Sequence, residues 1–196
     1  MVVTDNSKDM AHNDRLQSWL QRMLDDLLPP QLALIAGKAA IRLIVSVMIL
    51  QDSGNVFDAS LLACMAAWKD TVLPTMDQLQ ESNFKLWWKK SPISSLNNNN
   101  NNNSKSNSNA ATDREYRVSL SMGILREDKN KGNVRFLVDP SEDEEDFTDG
   151  DLTIVVTIPS RTIQVEYTGS VGLDASELAL AVKLANGRVD ELASLL

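Results

Sequence analysis

The sequence predicts an α+β fold, because its helical and strand patterns are segregated along the chain. Apolar residues recur at helical spacing near both ends, and short β-branched segments separated by turn residues fill residues 116–167. A tract rich in asparagine and serine separates a helix–strand–helix portion from a sheet-plus-helix portion. The 196 residues are enough for one ordinary domain or two small ones.

The first portion is predicted to contain a helix, a strand and a second helix. An apolar stripe at helical spacing predicts an amphipathic helix, and it comprises Leu16, Trp19, Leu20, Met23, Leu24 and Leu27. Pro29 and Pro30 end that helix. Residues 41–50, IRLIVSVMIL, are almost continuously apolar, which is typical of a strand covered on both faces. Turn residues at 52–55 then precede a second helix over residues 58–71.

The second portion is predicted to contain short strands and one helix. Strand patterns cover residues 116–125, 134–138, 152–158 and 162–167. The turn residues between them favour an antiparallel or mixed sheet. The final segment keeps its apolar residues in one helical phase from Leu178 to Leu196, and this phase continues through Gly187. We therefore expect a single C-terminal helix with a weak point at the glycine.

The asparagine tract sets the predicted domain boundaries. Residues 97–109 contain only asparagine, serine and lysine, so they have no apolar side chain to bury and are predicted to be disordered. We assign residues 1–13 to a disordered N-terminus and residues 14–90 to a first domain. Residues 91–113 are then a disordered insertion, and residues 114–196 form a second domain.

Composition and charge restrict the class of protein. Hydrophobic residues make up 43% of the chain, and the formal net charge is −8. A free-standing nucleic-acid binder usually has a basic face, so any RNA contact here is expected to be local or shared with other chains. Cys64 has no second cysteine to pair with, and its place on an apolar helix face favours an inert buried thiol. The apolar stretch at residues 32–50 contains Lys38 and Arg42, so no membrane span is predicted.

Two sequence blocks carry a resemblance to a known family. They are GNVFDASLLACMAAWKDTVLP at residues 54–74 and FLVDPSEDEEDFTDGDLTIVV at residues 136–156. In order and spacing they resemble the ribonuclease PH superfamily, and more narrowly the inactive ring subunits of the eukaryotic RNA exosome. The resemblance covers residues 16–196. It implies a ribonuclease PH-like fold in which a truncated first domain (helix-strand-helix) precedes a small sheet-plus-helix second domain.

The implied truncation has a physical consequence for the strand at residues 41–50. Family members carry a further sheet portion, with basic residues that face RNA, before the matching region. Without those neighbours we expect this strand to expose apolar surface and an unpaired edge. We therefore expect the first half of the isolated chain to be aggregation-prone or partly molten, and residues 116–196 to be better ordered.

The resemblance also defines a vestigial phosphate loop. Active relatives have Gly-Gly-Thr-Arg-Thr at this turn, and its arginine and backbone amides hold the attacking phosphate. The matching residues here are Ser53, Gly54, Asn55, Val56 and Phe57. Valine at the arginine position cannot bind phosphate, although Asn55 could still donate one hydrogen bond. The chain is therefore expected to have no catalytic residues of its own.

An acidic pair is the second family element. Asp139 matches its first position and Glu145 its second, where active members have aspartate. An alternative interpretation of this acidic segment is an ordinary solvated loop. Without a phosphate-binding cation nearby, the pair would repel RNA rather than cleave it. We treat the two residues as a vestigial acidic pair.

Other candidate sites are weaker. A possible RNA-binding segment combines base-stacking rings with phosphate-binding charges and comprises Lys85, Trp87, Trp88, Lys89 and Lys90. The alternative, aromatic residues that pack at a strand or subunit joint, is equally consistent with the sequence. His12 has no neighbouring cysteine or histidine, so no metal site is predicted, and no cofactor is expected.

The resemblance implies a structural role in the exosome. We expect a non-catalytic ring subunit that forms a heterodimer with other ribonuclease PH-like subunits within a hexameric ring. Cap subunits and RNA in the assembled channel are the further partners, and no membrane partner is expected. The expected location is the nucleus and nucleolus and also the cytoplasm. Two alternatives stay open: an active phosphate-dependent three-prime exoribonuclease, and a truncated product that does not assemble.

Overall fold

The computed structural model describes residues 2–4, 10–27, 33–35, 39–40, 43–71, 115–127 and 133–192. In chain order the elements are β1 (Val2–Thr4), α1 (Met10–Asp25), β2 (Ala33–Ile35), β3 (Ala39–Ala40), β4 (Ser46–Met48), α2 (Val56–Asp70), β5 (Tyr116–Arg126), β6 (Val134–Val138), α3 (Glu142–Glu145), β7 (Gly150–Ile158), β8 (Ile163–Gly169) and α4 (Ala175–Leu192). Helices and an antiparallel sheet confirm the α+β class predicted from the sequence.

The chain divides into two compact units, and each unit is built from segments that are not consecutive in sequence. The first unit comprises Met1–Leu28, Leu43–Ala66 and Glu115–Leu196. It therefore contains segments from both predicted domains. The second unit comprises Pro29–Arg42 and Ala67–Arg114, and its described part includes an antiparallel pair formed by β2 and β3.

A four-stranded sheet is the centre of the first unit. Its strand order is β6-β5-β7-β8, and every neighbouring pair is antiparallel. The long strand β5 pairs with β7 over nearly its whole length, with Leu120 opposite Ile154 and Ser121 opposite Thr153. Because side chains alternate along a strand, these two pairs point to opposite faces of the sheet. Each face has its own set of packing partners.

The face of the sheet toward α4, here called the α4 face, is apolar. Its core consists of strand and helix side chains in one cluster, namely Val118, Leu120, Met122, Ile124, Leu152, Ile154, Val156, Ala181, Ala185, Val189 and Leu192. The helix continues without a break past Gly187, which confirms the predicted single C-terminal helix. Small alanines at 181 and 185 let α4 approach the sheet closely, and the branched strand residues fill the space around them.

The opposite face, here called the α1/α2 face, packs against the first two helices. Leu16, Leu20 and Met23 from α1 cluster with Leu61 and other buried residues of α2. Val155 of β7 belongs to the same cluster. The predicted first helix is therefore confirmed, and its apolar stripe is the surface that packs against α2 and the sheet. The second helix begins at Val56, two residues before the predicted start.

The apolar strand at residues 41–50 is covered on one face only. Strand β4 is parallel to β1, and its flanking residues Val45 and Ile49 pack with Val47 against the α1/α2 cluster. Ile44 and Met48 on the other face are 72% and 73% exposed. The prediction of coverage on both faces is therefore wrong, because a continuous apolar run does not itself supply a second packing partner. The expectation that this strand exposes apolar surface is confirmed. Residues 41–42 of this segment lie outside the described residues.

Two other segments differ from the sequence-based expectation. The structure places β1 at Val2–Thr4 and begins α1 at Met10, inside the segment for which disorder is predicted. Residues 142–145 of the acidic loop form the short helix α3. The Asn-rich tract at residues 97–109 lies outside the described residues.

Candidate functional site

The predicted phosphate loop forms a tight turn just before α2. Gly54 has φ = 101° and Asn55 has φ = 48°, so both adopt left-handed backbone conformations. Glycine adopts this region without strain, and asparagine tolerates it better than most residues. The Gly54 amide donates a hydrogen bond to Asp52 Oδ1 at 3.0 Å. The first amide of the turn is therefore directed to a carboxylate of the same chain.

Gly54 also sits directly against the acidic segment. A Cβ atom at this position would lie 2.4 Å from Pro140 O and 2.6 Å from Glu142 N. The Glu142 amide donates to Ser53 O at 3.1 Å, which joins the start of α3 to the turn. Any side chain at position 54 would therefore force the two segments apart.

The geometry of α3 places Glu145 over the turn. The amide and hydroxyl of Ser141 both donate to Glu144 Oε2, which fixes the first turn of α3 and lowers the pKa of Glu144. Glu145 then reaches back, and its Oε1 accepts a hydrogen bond from the Asn55 amide at 2.7 Å. The amide at the start of α2, where the helix dipole favours an anion, is therefore bound to an internal carboxylate.

The side chain of Asn55 bridges two further acids. Its Nδ2 donates to Asp139 Oδ1 at 2.7 Å and to Asp58 Oδ2 at 3.1 Å. Asp139 has φ = 56°, so its backbone is also left-handed. The structure thus brings the predicted phosphate loop and both members of the predicted acidic pair into direct contact, although 84 to 90 residues separate them in sequence.

Asp58 connects this site to the sheet, a role that sequence reasoning missed. Its Oδ2 accepts from the Ser121 amide at 2.7 Å, and its Oδ1 accepts from the Ser121 hydroxyl at 2.9 Å. Ser121 Oγ lies 3.1 Å from Thr153 Oγ1 on the neighbouring strand. In the sequence, the signal for this role was the position of Asp58 in the first turn of a helix, where the helix dipole stabilises a negative charge.

A cavity of about 170 Å³ lies beside the turn. One of its walls carries a cationic side chain that sequence reasoning also missed. Arg15 of α1 lines it, together with Trp19, Asn55, Glu145 and Asp151. The guanidinium carbon of Arg15 lies 5.0 Å from the centre of the Trp19 ring, and Nη2 donates to Thr168 Oγ1 at 3.0 Å. The arginine thus already has partners, and two carboxylates line the same cavity. Its spacing from Trp19, one helical turn, was the signal in the sequence.

Of the remaining candidate residues, the structure describes Val56 and Cys64 but not the possible RNA-binding segment. Val56 opens α2 and lines the same cavity, at the position where the resemblance implies arginine. Cys64 is buried, as expected, and burial raises the pKa of its thiol. The possible RNA-binding residues Lys85, Trp87, Trp88, Lys89 and Lys90 lie outside the described residues.

Within the ranges that the structure describes, no group of three or more His, Cys, Asp or Glu side chains is arranged to hold a metal ion. Within those same ranges, none of the helices is both long and apolar enough to cross a bilayer.

Comparison with protein families identifies the class of protein. The model of the 3′ exoribonuclease family, domain 1, matches residues 1–74, and the model of domain 2 of the same family matches residues 118–188. The two matches follow one another in family order and together cover well over half of the chain. The chain therefore belongs to the 3′ exoribonuclease family.

Individual relatives narrow the comparison within this family. The chain is 26% identical, over 165 residues, to proteins named exosome complex component Rrp42 from Methanosarcina mazei and Methanosarcina acetivorans. Each match covers 84% of this chain and 50% of the relative. The chain thus spans about half the length of the curated relatives it matches.

Two solved structures show the same fold. One, described as an Archaeoglobus fulgidus exosome with RNA bound to the active site, has a TM-score of 0.65 at 18% identity. The other, described as an archaeal exosome core, has a TM-score of 0.61 at 20% identity. The matches cover 97% of this chain in both cases, and 64% and 66% of the respective solved chains. The fold is therefore ribonuclease PH-like, as the sequence resemblance implies.

Proposed function

We propose that this chain is a non-catalytic structural subunit of the RNA exosome core ring. In this role it supports three-prime-end processing and degradation of RNA, including ribosomal RNA maturation. The family membership, the archaeal exosome relatives and the fold support the ring assignment. The sequence resemblance supports a eukaryotic subunit most similar to ribosomal-RNA-processing protein forty-three. The proposed locations are the nucleus, the nucleolus and the cytoplasm.

The proposed partners follow from the same assignment. Other ribonuclease PH-like subunits would pair with this chain in a heterodimer within a hexameric ring, and cap subunits would bind the ring. RNA would pass through the assembled channel. The net charge of −8 supports RNA contacts that depend on basic neighbouring chains, because an acidic surface alone repels the phosphate backbone.

The non-catalytic proposal rests on one observation: two backbone amides of the loop already donate to carboxylates of the same chain. Phosphorolysis requires a phosphate dianion to be desolvated and placed in line by cations and amides. Here the Gly54 amide donates to Asp52, and the Asn55 amide donates to Glu145. An incoming phosphate would meet these carboxylates and that of Asp139 instead of free donors. Repulsion between like charges at such short range opposes phosphate binding.

The alternative is an active phosphate-dependent exoribonuclease, and one observation favours it. Arg15 supplies a cation to the cavity beside the turn, although the loop itself has valine at the arginine position. The geometry around this arginine argues against the alternative, since Arg15 donates to Thr168 and shares the cavity with Glu145 and Asp151. An arginine that already donates to Thr168, in a cavity lined by two carboxylates, is poorly placed to hold a dianion.

Co-purification tests the ring assignment. The full chain carrying an affinity tag should be co-expressed with candidate ribonuclease PH-like ring subunits from the same organism. We expect stoichiometric recovery of at least one of them and co-migration in gel filtration. Recovery of the tagged chain only as a monomer, under conditions where the other subunits assemble with each other, would refute the assignment.

A phosphorolysis assay tests the absence of catalysis. Labelled RNA and inorganic phosphate are incubated with the chain alone, or with a partner whose own site has been inactivated. We expect no RNA shortening and no nucleoside diphosphate release, while a known ribonuclease PH serves as the positive control. Val56→Arg should not restore activity, because Glu145 still binds the Asn55 amide. Phosphate-dependent shortening by the wild-type chain would establish the alternative.

A further inference from the structure

The acidic turn, residues 141–149 with the short helix α3, is hydrogen-bonded to the rest of the fold near both of its ends. At its start, the Glu142 amide donates to Ser53 O at 3.1 Å. At its end, the Asp149 amide donates to Ile124 O at 2.8 Å. Within the turn, the Glu145 amide donates to Ser141 O at 2.9 Å. The carboxylate of Glu145 is therefore carried on a backbone that already has a fixed position relative to the loop.

The contact between Glu145 and the Asn55 amide has the features of a strong hydrogen bond. The distance is 2.7 Å and the acceptor is a carboxylate, so the interaction is charge-assisted. Both residues are partly buried, which weakens competition by water. The donor is the amide immediately before α2, where the helix dipole adds to the attraction. The same amide would be the donor to any external anion bound at this turn.

We propose that Glu145 is an intramolecular clasp that closes the Gly54–Asn55 turn. Its carboxylate takes the place of an external anion at the start of α2 and holds α3 against the loop. The clasp both joins two distant segments and keeps tetrahedral oxyanions out of the loop. The clasp rests on the proposed function and deepens it, because the same occupied Asn55 amide carries the non-catalytic proposal.

Amide hydrogen exchange of the full chain tests the clasp directly. Exchange at Asn55 is measured by nuclear magnetic resonance in the wild type, Glu145→Ala, Glu145→Gln and the control Asp143→Ala. Asp143 is an exposed acid on the same turn, so its removal matches the change in charge but leaves the clasp intact. We expect Glu145→Ala to accelerate Asn55 exchange about ten- to hundred-fold, because it removes a hydrogen bond to a charged acceptor. The control should leave this rate within about twofold of the wild type.

Glu145→Gln tests the same hydrogen bond if the alanine variant does not fold. Glutamine has the same length and one remaining acceptor oxygen but no charge, so Asn55 exchange should fall between the wild type and the alanine variant. Wild-type exchange at Asn55 as fast as in an open loop would overturn the clasp. Unchanged protection in a folded Glu145→Ala protein would overturn it as well.

Titration with inorganic phosphate tests the exclusion of oxyanions. Phosphate should leave the Gly54 and Asn55 amide resonances of the wild type and of Asp143→Ala unchanged. In Glu145→Ala it should shift the Asn55 resonance, because the amide is then available to an anion. Equal shifts in the wild type and Glu145→Ala would overturn the proposal that Glu145 keeps anions out. These results are independent of co-purification, so failure of the clasp and failure of the ring assignment can be told apart.

Discussion

On the α4 face of the sheet, β5 and β7 present valine, leucine, isoleucine and methionine to a helix whose contacting residues are mostly alanine and valine. On the α1/α2 face the same two strands present buried polar side chains, namely Arg117, Ser119, Thr153 and Thr157. The two faces alternate residue by residue, so they belong to the same strands in the same fold. Their difference lies in the interactions that hold the covering helices in place.

The α4 face is held by shape and apolar burial, whereas the α1/α2 face is held partly by directed hydrogen bonds. Arg117 donates to Met23 O at the end of α1, and Asp58 at the start of α2 accepts from Ser121. Some polar atoms on this face, such as Ser119 Oγ, are buried without a partner, and that arrangement costs stability. The candidate site lies on this polar face, which indicates that the apolar face supplies the stability and the polar face supplies the positioning.

The largest effect is expected from Ile154→Ala on the α4 face. Ile154 is fully buried at the centre of that core, so truncation leaves a cavity and should cost about 2–5 kcal/mol of unfolding free energy. Ile163→Ala on the edge strand β8 is the matched control, because Ile163 is 38% exposed. Urea denaturation followed by circular dichroism measures both variants. Equal losses would contradict the assignment of stability to the buried core of the α4 face.

A smaller effect is expected from Arg117→Met on the α1/α2 face. Arg117 is only 5% exposed, and its Nη1 and Nη2 donate to Met23 O and Asp26 Oδ2. Losing these bonds should cost about 1.5–3 kcal/mol, because the donor is charged and the methionine retains most of the packing. The control Arg135→Met removes an exposed ion pair with Glu127 and should change the unfolding free energy by no more than about 0.5 kcal/mol.

Exchange of the Met23–Leu27 amides, measured alongside urea denaturation, shows whether the end of α1 loosens in Arg117→Met. A loss of stability with unchanged exchange there would break the link between Arg117 and the position of α1. A loss larger than that of Ile154→Ala would reverse the proposed difference between the two faces.

The smallest effect is expected at the start of α4, where the carboxylate of Asp174 accepts hydrogen bonds from the first turn of the helix. The Ser176 hydroxyl and then the Glu177 amide donate to Asp174 and lower its pKa. Because the folded pKa is depressed, the carboxylate stabilises the fold above its unfolded pKa of about 3.9, and this contribution is lost as pH falls through the folded value. Asp174→Asn should therefore flatten the decline of the melting temperature in acid.

Ser176→Ala should flatten the same acid decline to a lesser degree, since it removes only the hydroxyl donor. Melting temperatures followed by circular dichroism over a series of acidic pH values measure both variants. Identical acid profiles for the wild type and Asp174→Asn would show that this carboxylate does not contribute to the stability of α4.

Much of the local structure could be predicted from periodicity alone. The stripe from Leu16 to Leu27 predicts α1, and the helical phase through Gly187 predicts α4, because sequence spacing fixes which side chains share a helix face. The strands of the sheet follow for the same reason from β-branched runs between turns. Periodicity failed at residues 41–50, because an apolar run shows what should be buried but not which neighbour is present to bury it.

The sequence by itself determined the α+β class, and the family resemblance singled out the loop and acid residues and the valine at the position where it implies arginine. Only the tertiary structure decided that Glu145 binds the Asn55 amide and that Arg15 lines the neighbouring cavity. Local patterns follow from interactions between residues a few positions apart, whereas the Glu145–Asn55 bond joins residues 90 positions apart and the Arg15–Thr168 bond joins residues 153 positions apart. Their geometry depends on how α1, α2 and α3 pack around the polar face of the sheet, and no short stretch of sequence encodes that packing.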